Sequence, residues 1–248
     1  MMNIDQTDVV ILCGGLGTRL RSVTGENPKV LVSVNGRPFL DLLLDEVRRQ
    51  GGRRVILCVG YQAGKIQEYY TGRDTGLNLV CSREDQPLGT GGAICRAAGL
   101  IESDSFLVLN GDSFCPVDMR ALGAFHQDKR ALGTIAVCPG RAGGDYGGVV
   151  LEEGTDRVLA FQEKDRSSTA SYVNAGVYVL SRAVFKQMPD QERFSLEYDV
   201  FPRCVDQGAL WGFRTEAPLW DIGTPERLAR IRRDVDRLDH YRGGCRRE

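Results

Sequence analysis

The chain has 248 residues, 42% of them hydrophobic, and its 32 basic and 33 acidic side chains leave a formal net charge of −1. Such a chain can bury a substantial core without disulfides, and its near-neutral charge argues against a main role in binding nucleic acid or anionic membranes. No apolar run has the length of a membrane span, the N-terminus lacks a signal-peptide pattern, and the eight cysteines include no Cys-x-x-Cys pair. We therefore expect a cytoplasmic protein with free thiols.

Strand-like and helix-like segments alternate through residues 9–139. Apolar runs predict strands at Val9–Leu12, Arg54–Val59, Leu77–Cys81, Phe106–Leu109 and Thr134–Cys138. Amphipathic segments predict helices at Phe39–Gln50, Ala63–Tyr70, Gly91–Leu100 and Met119–Lys129. The alternation predicts an α/β fold with a mixed, mostly parallel sheet flanked by helices. In such sheets the loops that follow parallel strands lie along one edge, where ligands bind.

The pattern changes after Pro139. A glycine-rich loop at 140–148 precedes a predicted hairpin of Val149–Leu151 with Val158–Gln162, and a further strand is predicted at Tyr172–Leu180. Residues 225–240 predict an arginine-rich helix with one apolar stripe and a solvated charged face. Because no Pro/Ser-rich linker separates these segments from the first 139 residues, we expect a single domain over residues 1–248.

A glycine-rich loop follows the first predicted strand. Gly14, Gly15 and Gly17 leave backbone N–H groups accessible to an anion and permit the positive φ angles that turn those groups inward. Arg19 adds a guanidinium suited to bidentate phosphate contact, and Lys29 adds a compact ammonium. The loop therefore predicts a site for a polyphosphate.

Two other phosphate-binding motifs and one structural interpretation compete for this loop. A dinucleotide-binding fingerprint needs a glycine where Leu20 stands. A P-loop needs Gly-Lys-Ser/Thr, but Gly17 is followed by Thr18 and Arg19. A glycine-rich turn with surface charges is the purely structural alternative, and it is the favoured interpretation when the three glycines are taken alone.

Two aspartates are candidates for a metal site. Asp112 closes the string Asn110-Gly111-Asp112 at the end of a buried strand, where its side chain projects into the ligand crevice. Asp221 supplies a second carboxylate. Proteins commonly bind Mg²⁺ through one or two carboxylates, with waters and substrate phosphates completing the coordination. An Asx-turn is the structural alternative for the first string.

Three further groups of polar residues have structural interpretations when each is taken alone. Thr90 fits a helix N-cap. Glu163 and Lys164 are typical of an exposed ion pair at a strand end. Glu197 fits a helix N-terminus.

Taken together, the motifs resemble those of the sugar-1-phosphate nucleotidyltransferase family over residues 8 to about 238. The strings that carry the resemblance are Ile11–Leu20, Pro28-Lys29, Gly36-x-Pro38, Pro87–Ala93, Leu109–Asp112 and Asp221–Glu226. Within that family they are most similar to the D-glycero-D-manno-heptose 1-phosphate guanylyltransferases. Gln86 departs from this pattern, because a glutamate often stands just before Pro-Leu-Gly-Thr in guanylyl enzymes, and it leaves the base open.

The resemblance implies a Rossmann-like nucleotide-diphospho-sugar transferase fold. It implies a nucleotide-binding part at about 1–139, a sugar-phosphate-binding part at about 140–223 and a C-terminal helix at 224–240. The implied reaction transfers a nucleotidyl group from a nucleoside triphosphate, expected to be GTP, to a sugar 1-phosphate, expected to be D-glycero-D-manno-heptose 1-phosphate. Pyrophosphate is released and Mg²⁺ is the implied cofactor. The NDP-sugar would serve the biosynthesis of surface glycans or other glycoconjugates, and a homo-oligomer is compatible with the family.

The resemblance also implies roles for individual residues. The catalytic residues are Arg19 for the β- and γ-phosphates, Lys29 for the α-phosphate and Lys164 for the sugar phosphate. The metal ligands are Asp112 and Asp221. The implied nucleotide contacts are Leu12, Gly14, Gly15, Gly17, Thr18, Arg19, Gln86, Pro87, Gly89, Thr90, Gly91 and Gly111. The implied sugar contacts are Tyr146, Gly147, Glu163, Lys164, Asn174 and Glu197.

Alternative functions stay open at this point. Guanylyl transfer to mannose 1-phosphate and nucleotidyl transfer to glucose 1-phosphate are alternative reactions. A silent regulatory subunit of the same fold is the non-enzyme alternative, although the intact Arg19, Lys29, Asp112 and Asp221 argue against it. A domain that binds a nicotinamide dinucleotide is disfavoured by Leu20.

Overall fold

The computed structural model describes residues 2–140, 147–162 and 170–235. Within them the strands are β1 Val9–Leu12, β2 Ser33–Val34, β3 Arg37–Pro38, β4 Arg54–Val59, β5 Asn78–Arg83, β6 Ser105–Asn110, β7 Ser113–Phe114, β8 Gly133–Pro139, β9 Gly148–Leu151, β10 Val158–Gln162, β11 Tyr172–Ser181, β12 Leu210–Arg214 and β13 Trp220–Asp221. The α-helices are α1 Arg21–Thr24, α2 Phe39–Arg49, α3 Ala63–Tyr70, α4 Gly89–Ala97, α5 Met119–Lys129, α6 Phe201–Asp206 and α7 Pro225–Asp234. Strands and helices therefore alternate through the first half of the chain, as the apolar runs predict.

Strands from both halves of the chain share one mixed sheet. Its main path is β10-β9-β11-β6-β1-β4-β5, while β8 pairs with β11 and β12 pairs with β8. The neighbours β5, β4, β1 and β6 run parallel, whereas β11 runs antiparallel to β6. The prediction of a mixed sheet flanked by helices is confirmed. The four parallel strands direct their carboxyl ends to one edge of the sheet.

The central strand β1 is buried on both faces because helices cover each side of the sheet. Val9 and Ile11 belong to one apolar cluster and Val10 to another, as the two-residue period of a strand requires. Helix α2 adds Phe39 to the first cluster, and α4 adds Ile94 to the second. Within the described ranges, no helix has both the length and the apolar character needed to cross a bilayer.

Helix α4 begins two residues earlier than predicted. Its first residue is Gly89, and Leu88 before it makes no side-chain capping hydrogen bond. Thr90 therefore lies inside the first turn, so the interpretation of Thr90 as the N-cap is wrong. The predicted terminal helix is described as α7, and its predicted continuation over 236–240 lies outside the described residues.

Candidate active site

A cleft of about 530 Å³ opens at the carboxyl ends of β1 and β6. This edge of the sheet is where an α/β fold binds its ligands. Predicted site residues that line the cleft are Leu12, Gly14, Gly15, Arg19, Pro87, Gly89, Thr90, Gly111, Asp112, Gly147, Asn174, Glu197 and Asp221. The fold therefore brings members of the predicted nucleotide, sugar and metal groups into one cavity.

The glycine-rich loop after β1 is held against the end of β6. The N–H of Gly111 donates to the carbonyl of Leu12 at 3.1 Å, and a Cβ at Gly111 would lie 2.4 Å from that oxygen. This close approach requires glycine at position 111. Gly17 has a φ of +58°, and a Cβ there would lie 3.1 Å from the Cβ of Lys29. Gly17 and Thr18 are not among the described residues that line the cleft, and their expected contacts with the nucleotide stay predictions.

Lys29 and Asp112 form an ion pair next to this loop. Lys29 Nζ lies 2.6 Å from Asp112 Oδ2. The lysine side chain is 11% exposed and the aspartate side chain is 48% exposed. The pair therefore keeps a nearly buried ammonium beside a carboxylate that lines the cleft. A compact ammonium in this position can neutralise a phosphate oxygen that enters the cleft.

Asp221 is brought next to Asp112 by a short pair of strands. In the antiparallel pairing of β7 with β13, Asp221 lies opposite Ser113. The N–H of Ile222 donates to the Asp112 carbonyl at 2.9 Å. Asp221 Oδ1 accepts a hydrogen bond from Arg227 Nη1 at 3.1 Å. Both predicted metal ligands therefore face the same cleft from adjacent backbone segments.

These two carboxylates are compatible with Mg²⁺ only if a substrate completes its coordination. No cluster of three or more His, Cys, Asp or Glu side chains forms a metal site in the part of the chain that the structure describes. Binding through two carboxylates, with phosphate oxygens and water as the other ligands, is usual for Mg²⁺. The donor set of Asp112 and Asp221 therefore fits a cation carried by a polyphosphate.

The side chains of Glu84 and Gln86 lie in different environments, one in the cleft and the other on the surface. Gln86 is exposed, and its amide donates to Glu192 Oε2 at 3.2 Å. Glu84 is 7% exposed and lines the cleft. Its Oε2 accepts a hydrogen bond from the Leu88 N–H at 3.2 Å, and a Cβ at Gly14 would lie 2.9 Å from Oε1. Among the described residues, no donor contacts that Oε1 atom.

The environment of Glu84 favours a ligand that brings hydrogen-bond donors. Burial raises the pKa of the Glu84 carboxyl above its ordinary value, and the hydrogen bond from the Leu88 amide opposes that effect. Sequence reasoning missed Glu84. The signal was available, because Glu84 directly follows β5 and so stands at the ligand-binding edge of the sheet.

Asn174, Tyr178 and Glu197 form a hydrogen-bonded group on the side of the cleft predicted to bind sugar. The pairing of β11 with β8 shifts register between Asn174 and Tyr178, and Asn174 Oδ1 accepts a hydrogen bond from the Gly176 N–H at 2.9 Å. The buried Tyr178 hydroxyl accepts from Asn174 Nδ2 at 2.8 Å and donates to Glu197 Oε1 at 3.4 Å. Burial, followed by the charge of Glu197, raises the pKa of Tyr178 well above its ordinary value, so this hydroxyl keeps its proton.

The remaining predicted sugar contacts divide into two groups. Gly147 lines the cleft, and its carbonyl accepts a hydrogen bond from the Asn174 N–H at 3.0 Å. Tyr146, Glu163 and Lys164 lie outside the described residues. Their sugar contacts and the catalytic role of Lys164 therefore stay predictions.

Gly91 lies behind the cleft wall. Its N–H donates to the Phe194 carbonyl at 3.0 Å, and a Cβ at Gly91 would lie 2.4 Å from the Phe194 ring. The backbone amide of Gly91 is therefore engaged within the protein. Its expected contact with a nucleobase stays a prediction.

Several cleft residues were not predicted from the sequence. Besides Glu84 they include Asn110, Ser113, Arg193, Ser195, Tyr198 and Arg227. Asn110 Oδ1 and Ser113 Oγ are buried and have no hydrogen-bond partner among the described residues. Because buried polar atoms are normally hydrogen-bonded, these two atoms are exceptions within the described part of the cleft wall.

Comparison with known proteins identifies similar sequences and a similar structure. Residues 8–237 match the family model described as Nucleotidyl transferase. The D-glycero-alpha-D-manno-heptose 1-phosphate guanylyltransferase of Aneurinibacillus thermoaerophilus is 35% identical over 234 residues, which cover 94% of this chain and 99% of that protein. The mannose-1-phosphate guanylyltransferase of Mycobacterium tuberculosis is 37% identical over 243 residues, covering 95% of this chain but 66% of that protein. The structure of HddC from Yersinia pseudotuberculosis complexed with GMP-PN matches with 34% identity and a TM-score of 0.81, covering 92% of this chain and 99% of that chain.

Proposed function

The chain belongs to the nucleotidyl transferase family, and we propose that it transfers the guanylyl group of GTP to D-glycero-α-D-manno-heptose 1-phosphate with release of pyrophosphate. The observation that carries the proposal is that three features lie around one cleft: the glycine-rich loop, the ion pair of Asp112 with Lys29, and Glu84. Further support comes from the heptose 1-phosphate guanylyltransferase that matches this chain almost end to end. The similar structure complexed with GMP-PN supports a guanine nucleotide.

Glu84 supports guanine as the base. An ionised carboxylate only accepts hydrogen bonds, and guanine presents two neighbouring N–H groups, N1–H and N2–H, on one edge. Adenine presents one donor beside one acceptor there, cytosine presents one donor beside two acceptors, and uracil and thymine present one donor between two acceptors. Because Glu84 is buried, a mismatched base would leave polar groups unpaired, which is costly. The departure at Gln86 therefore does not argue against GTP.

Asn174 and Glu197 support a sugar as the second substrate. They present an amide and a carboxylate to the cleft, and both groups can bind sugar hydroxyls. A heptose differs from mannose by one hydroxymethylene group at the far end of the sugar. Contacts with so small a group change selectivity by about 1–3 kcal/mol. We therefore expect the heptose 1-phosphate to be preferred and mannose 1-phosphate to be accepted more weakly.

The proposed reaction is a single in-line displacement. An oxygen of the sugar phosphate forms a bond to the α-phosphorus of GTP, while the bond to the oxygen bridging to the β-phosphate breaks and pyrophosphate leaves. The protein needs no covalent intermediate, because alignment of two anions and neutralisation of their charge lower the barrier. Arg19 binds the β- and γ-phosphates, Lys29 neutralises the α-phosphate, and Lys164 binds the sugar phosphate.

Asp112 and Asp221 are the residues that would hold Mg²⁺. When bound, this cation neutralises charge on the triphosphate oxygens. Both substrates are small phosphorylated molecules, and we propose that the reaction takes place in the cytoplasm. The product supplies an activated heptose for surface glycans or other glycoconjugates.

A substrate panel tests the proposal. GTP, ATP, UTP, CTP and dTTP are each combined with heptose, mannose and glucose 1-phosphates, and Mg²⁺-dependent release of pyrophosphate is measured. We expect the highest kcat/KM for GTP with D-glycero-α-D-manno-heptose 1-phosphate. Preference for glucose 1-phosphate or for a pyrimidine triphosphate would overturn the substrate assignment but leave nucleotidyl transfer intact. No pyrophosphate from any pair would favour the silent regulatory subunit.

A further inference from the structure

The start of helix α4 is joined to residues 192–197 through Phe194. The Phe194 N–H donates to the Leu88 carbonyl at 3.0 Å. The Phe194 carbonyl accepts from the Gly91 N–H at 3.0 Å and from the Gly92 N–H at 3.2 Å. The segment that leads into Glu197 is therefore anchored to the string that was predicted to bind the nucleotide.

The glycines of that string are required by this contact. A Cβ at Gly89 would lie 2.4 Å from the Phe194 carbonyl oxygen, and a Cβ at Gly92 would lie 2.4 Å from the Glu192 carbonyl oxygen. Both atoms belong to the backbone, so they cannot move aside as a flexible side chain could. These glycines therefore act by letting residues 192–194 approach α4 closely.

Thr90 completes the connection with a side chain. Its hydroxyl donates to Glu197 Oε2 at 2.6 Å and accepts from the Leu196 N–H at 2.9 Å. The Ser195 hydroxyl donates to the same Oε2 at 2.7 Å, and the Tyr178 hydroxyl donates to Oε1 at 3.4 Å. Three hydroxyls thus orient the Glu197 carboxylate. Of these three, Thr90 alone belongs to the predicted nucleotide-binding string.

We propose that Thr90 is a positioning residue that couples nucleotide binding to sugar-phosphate binding by holding Glu197 in its sugar-binding orientation. This inference rests on the proposed function. Pro87 and Gly89, which line the cleft beside Thr90, are predicted nucleotide contacts, so a nucleotide bound there fixes the turn that orients Glu197. Coupling between two ligands is reciprocal. GTP therefore raises the affinity for the sugar phosphate by the factor by which the sugar phosphate raises the affinity for GTP.

Two substitutions distinguish the role of the Thr90 hydroxyl from the role of the branched shape of its side chain. Thr90→Val keeps the branched side chain without the hydroxyl, and Thr90→Ser keeps the hydroxyl. Loss of one charge-assisted hydrogen bond predicts that Thr90→Val raises KM for the sugar 1-phosphate about tenfold. Its Kd for GTP alone, measured by calorimetry, rises by a smaller factor than this KM, because Pro87 and Gly89 are unchanged. Thr90→Ser restores the KM.

The coupling itself is measured as the factor by which a non-hydrolysable GTP analogue tightens binding of the sugar 1-phosphate. We expect a factor of at least about five in the wild type and a factor near one in Thr90→Val. In a Glu197→Gln background, Thr90→Val should add little, because two residues that act as one unit are non-additive. Circular dichroism and thermal unfolding check that each variant folds, and Thr90→Ala replaces Thr90→Val if that variant does not fold.

Three outcomes would overturn the proposal. The first is weakening of GTP binding in Thr90→Val that matches the weakening of sugar binding, since that would make Thr90 a direct nucleotide contact. The second is failure of Thr90→Ser to restore the KM. The third is full additivity of Thr90→Val with Glu197→Gln. All measurements use the best substrate pair of the wild type, so a wild type without transfer activity contradicts the proposed function itself.

Discussion

The ammonium of Lys29 and the carboxylate of Asp112 lie 2.6 Å apart, although 83 positions separate the two residues in the sequence. Lys29 follows the glycine-rich loop after β1, and Asp112 follows the neighbouring strand β6. Each side chain restricts the rotamers of the other, so the opposite charges are held at one edge of the sheet. In the proposed reaction one charge acts on the α-phosphate and the other holds a cation.

Replacement of Lys29 tests the first of these roles. We expect Lys29→Ala to fold and to lose on the order of a hundredfold in kcat/KM, because charge stabilisation is removed at the reacting centre. Initial rates of pyrophosphate release measure the loss. Lys186→Ala is the matched control, since Lys186 is exposed and does not line the cleft. Turnover of a folded Lys29→Ala near that of the control would contradict the assignment.

Magnesium titrations of Asp112→Asn and Asp221→Asn test whether the two carboxylates bind one shared cation. Each single variant should need more Mg²⁺ for half-maximal activity, because one of two carboxylate ligands is lost. The double variant should be barely worse than either, since ligands of one ion act as a unit. Fully additive losses, or activity that persists in excess chelator, would be incompatible with one shared site.

Replacement of Glu84 tests the assignment of the base. A glutamine side chain offers one donor and one acceptor, so Glu84→Gln no longer matches the two N–H groups of guanine. We expect kcat/KM with GTP to fall about a hundredfold while kcat/KM with other triphosphates changes much less. Asp85→Asn is the control, because the Asp85 side chain is 86% exposed. An unchanged preference for GTP in Glu84→Gln would rule out this residue as the guanine acceptor.

The pH dependence of stability tests the buried His126. Its Nδ1 lies 2.9 Å from the Thr134 hydroxyl and its Nε2 lies 3.0 Å from the Ser181 hydroxyl. Burial lowers the pKa of His126 to about 4. In the unfolded chain the pKa is about 6.5, so the unfolded state binds the proton first as the pH falls. The contribution of the neutral imidazole to the free energy of unfolding is therefore fully present above about pH 6.5. It is lost towards pH 4, and the loss is on the order of 3 kcal/mol.

A His126→Leu variant isolates this effect from the titration of carboxylates. Urea unfolding at pH 7 and pH 5 gives the free energy of unfolding of each protein. The stability of the wild type relative to the variant should decrease between pH 7 and pH 5, because only the wild type carries the buried imidazole. A difference that stays constant over this range would show that His126 is not held neutral by the fold.

Local sequence determined much of the architecture. The apolar run Val9–Leu12 and the amphipathic segment that begins at Phe39 form the predicted strand and helix, because backbone periodicity and neighbouring side chains decide such elements. The edge of the sheet that holds the cleft followed from the order of strands and helices. The motifs around the glycine-rich loop and the two aspartates are enough to indicate the family.

Only the tertiary structure decided which side chains of the site contact each other. Glu84 and Gln86 are two positions apart, yet the Glu84 carboxylate lines the cleft, whereas the Gln86 side chain hydrogen-bonds to Glu192 on the surface. The bond between Thr90 and Glu197 spans 107 positions. Side-chain direction at the end of a strand depends on what packs against it, and hydrogen bonds between distant segments exist only after the sheet has brought those segments together. Neither the side-chain direction nor these hydrogen bonds can be predicted from composition and periodicity.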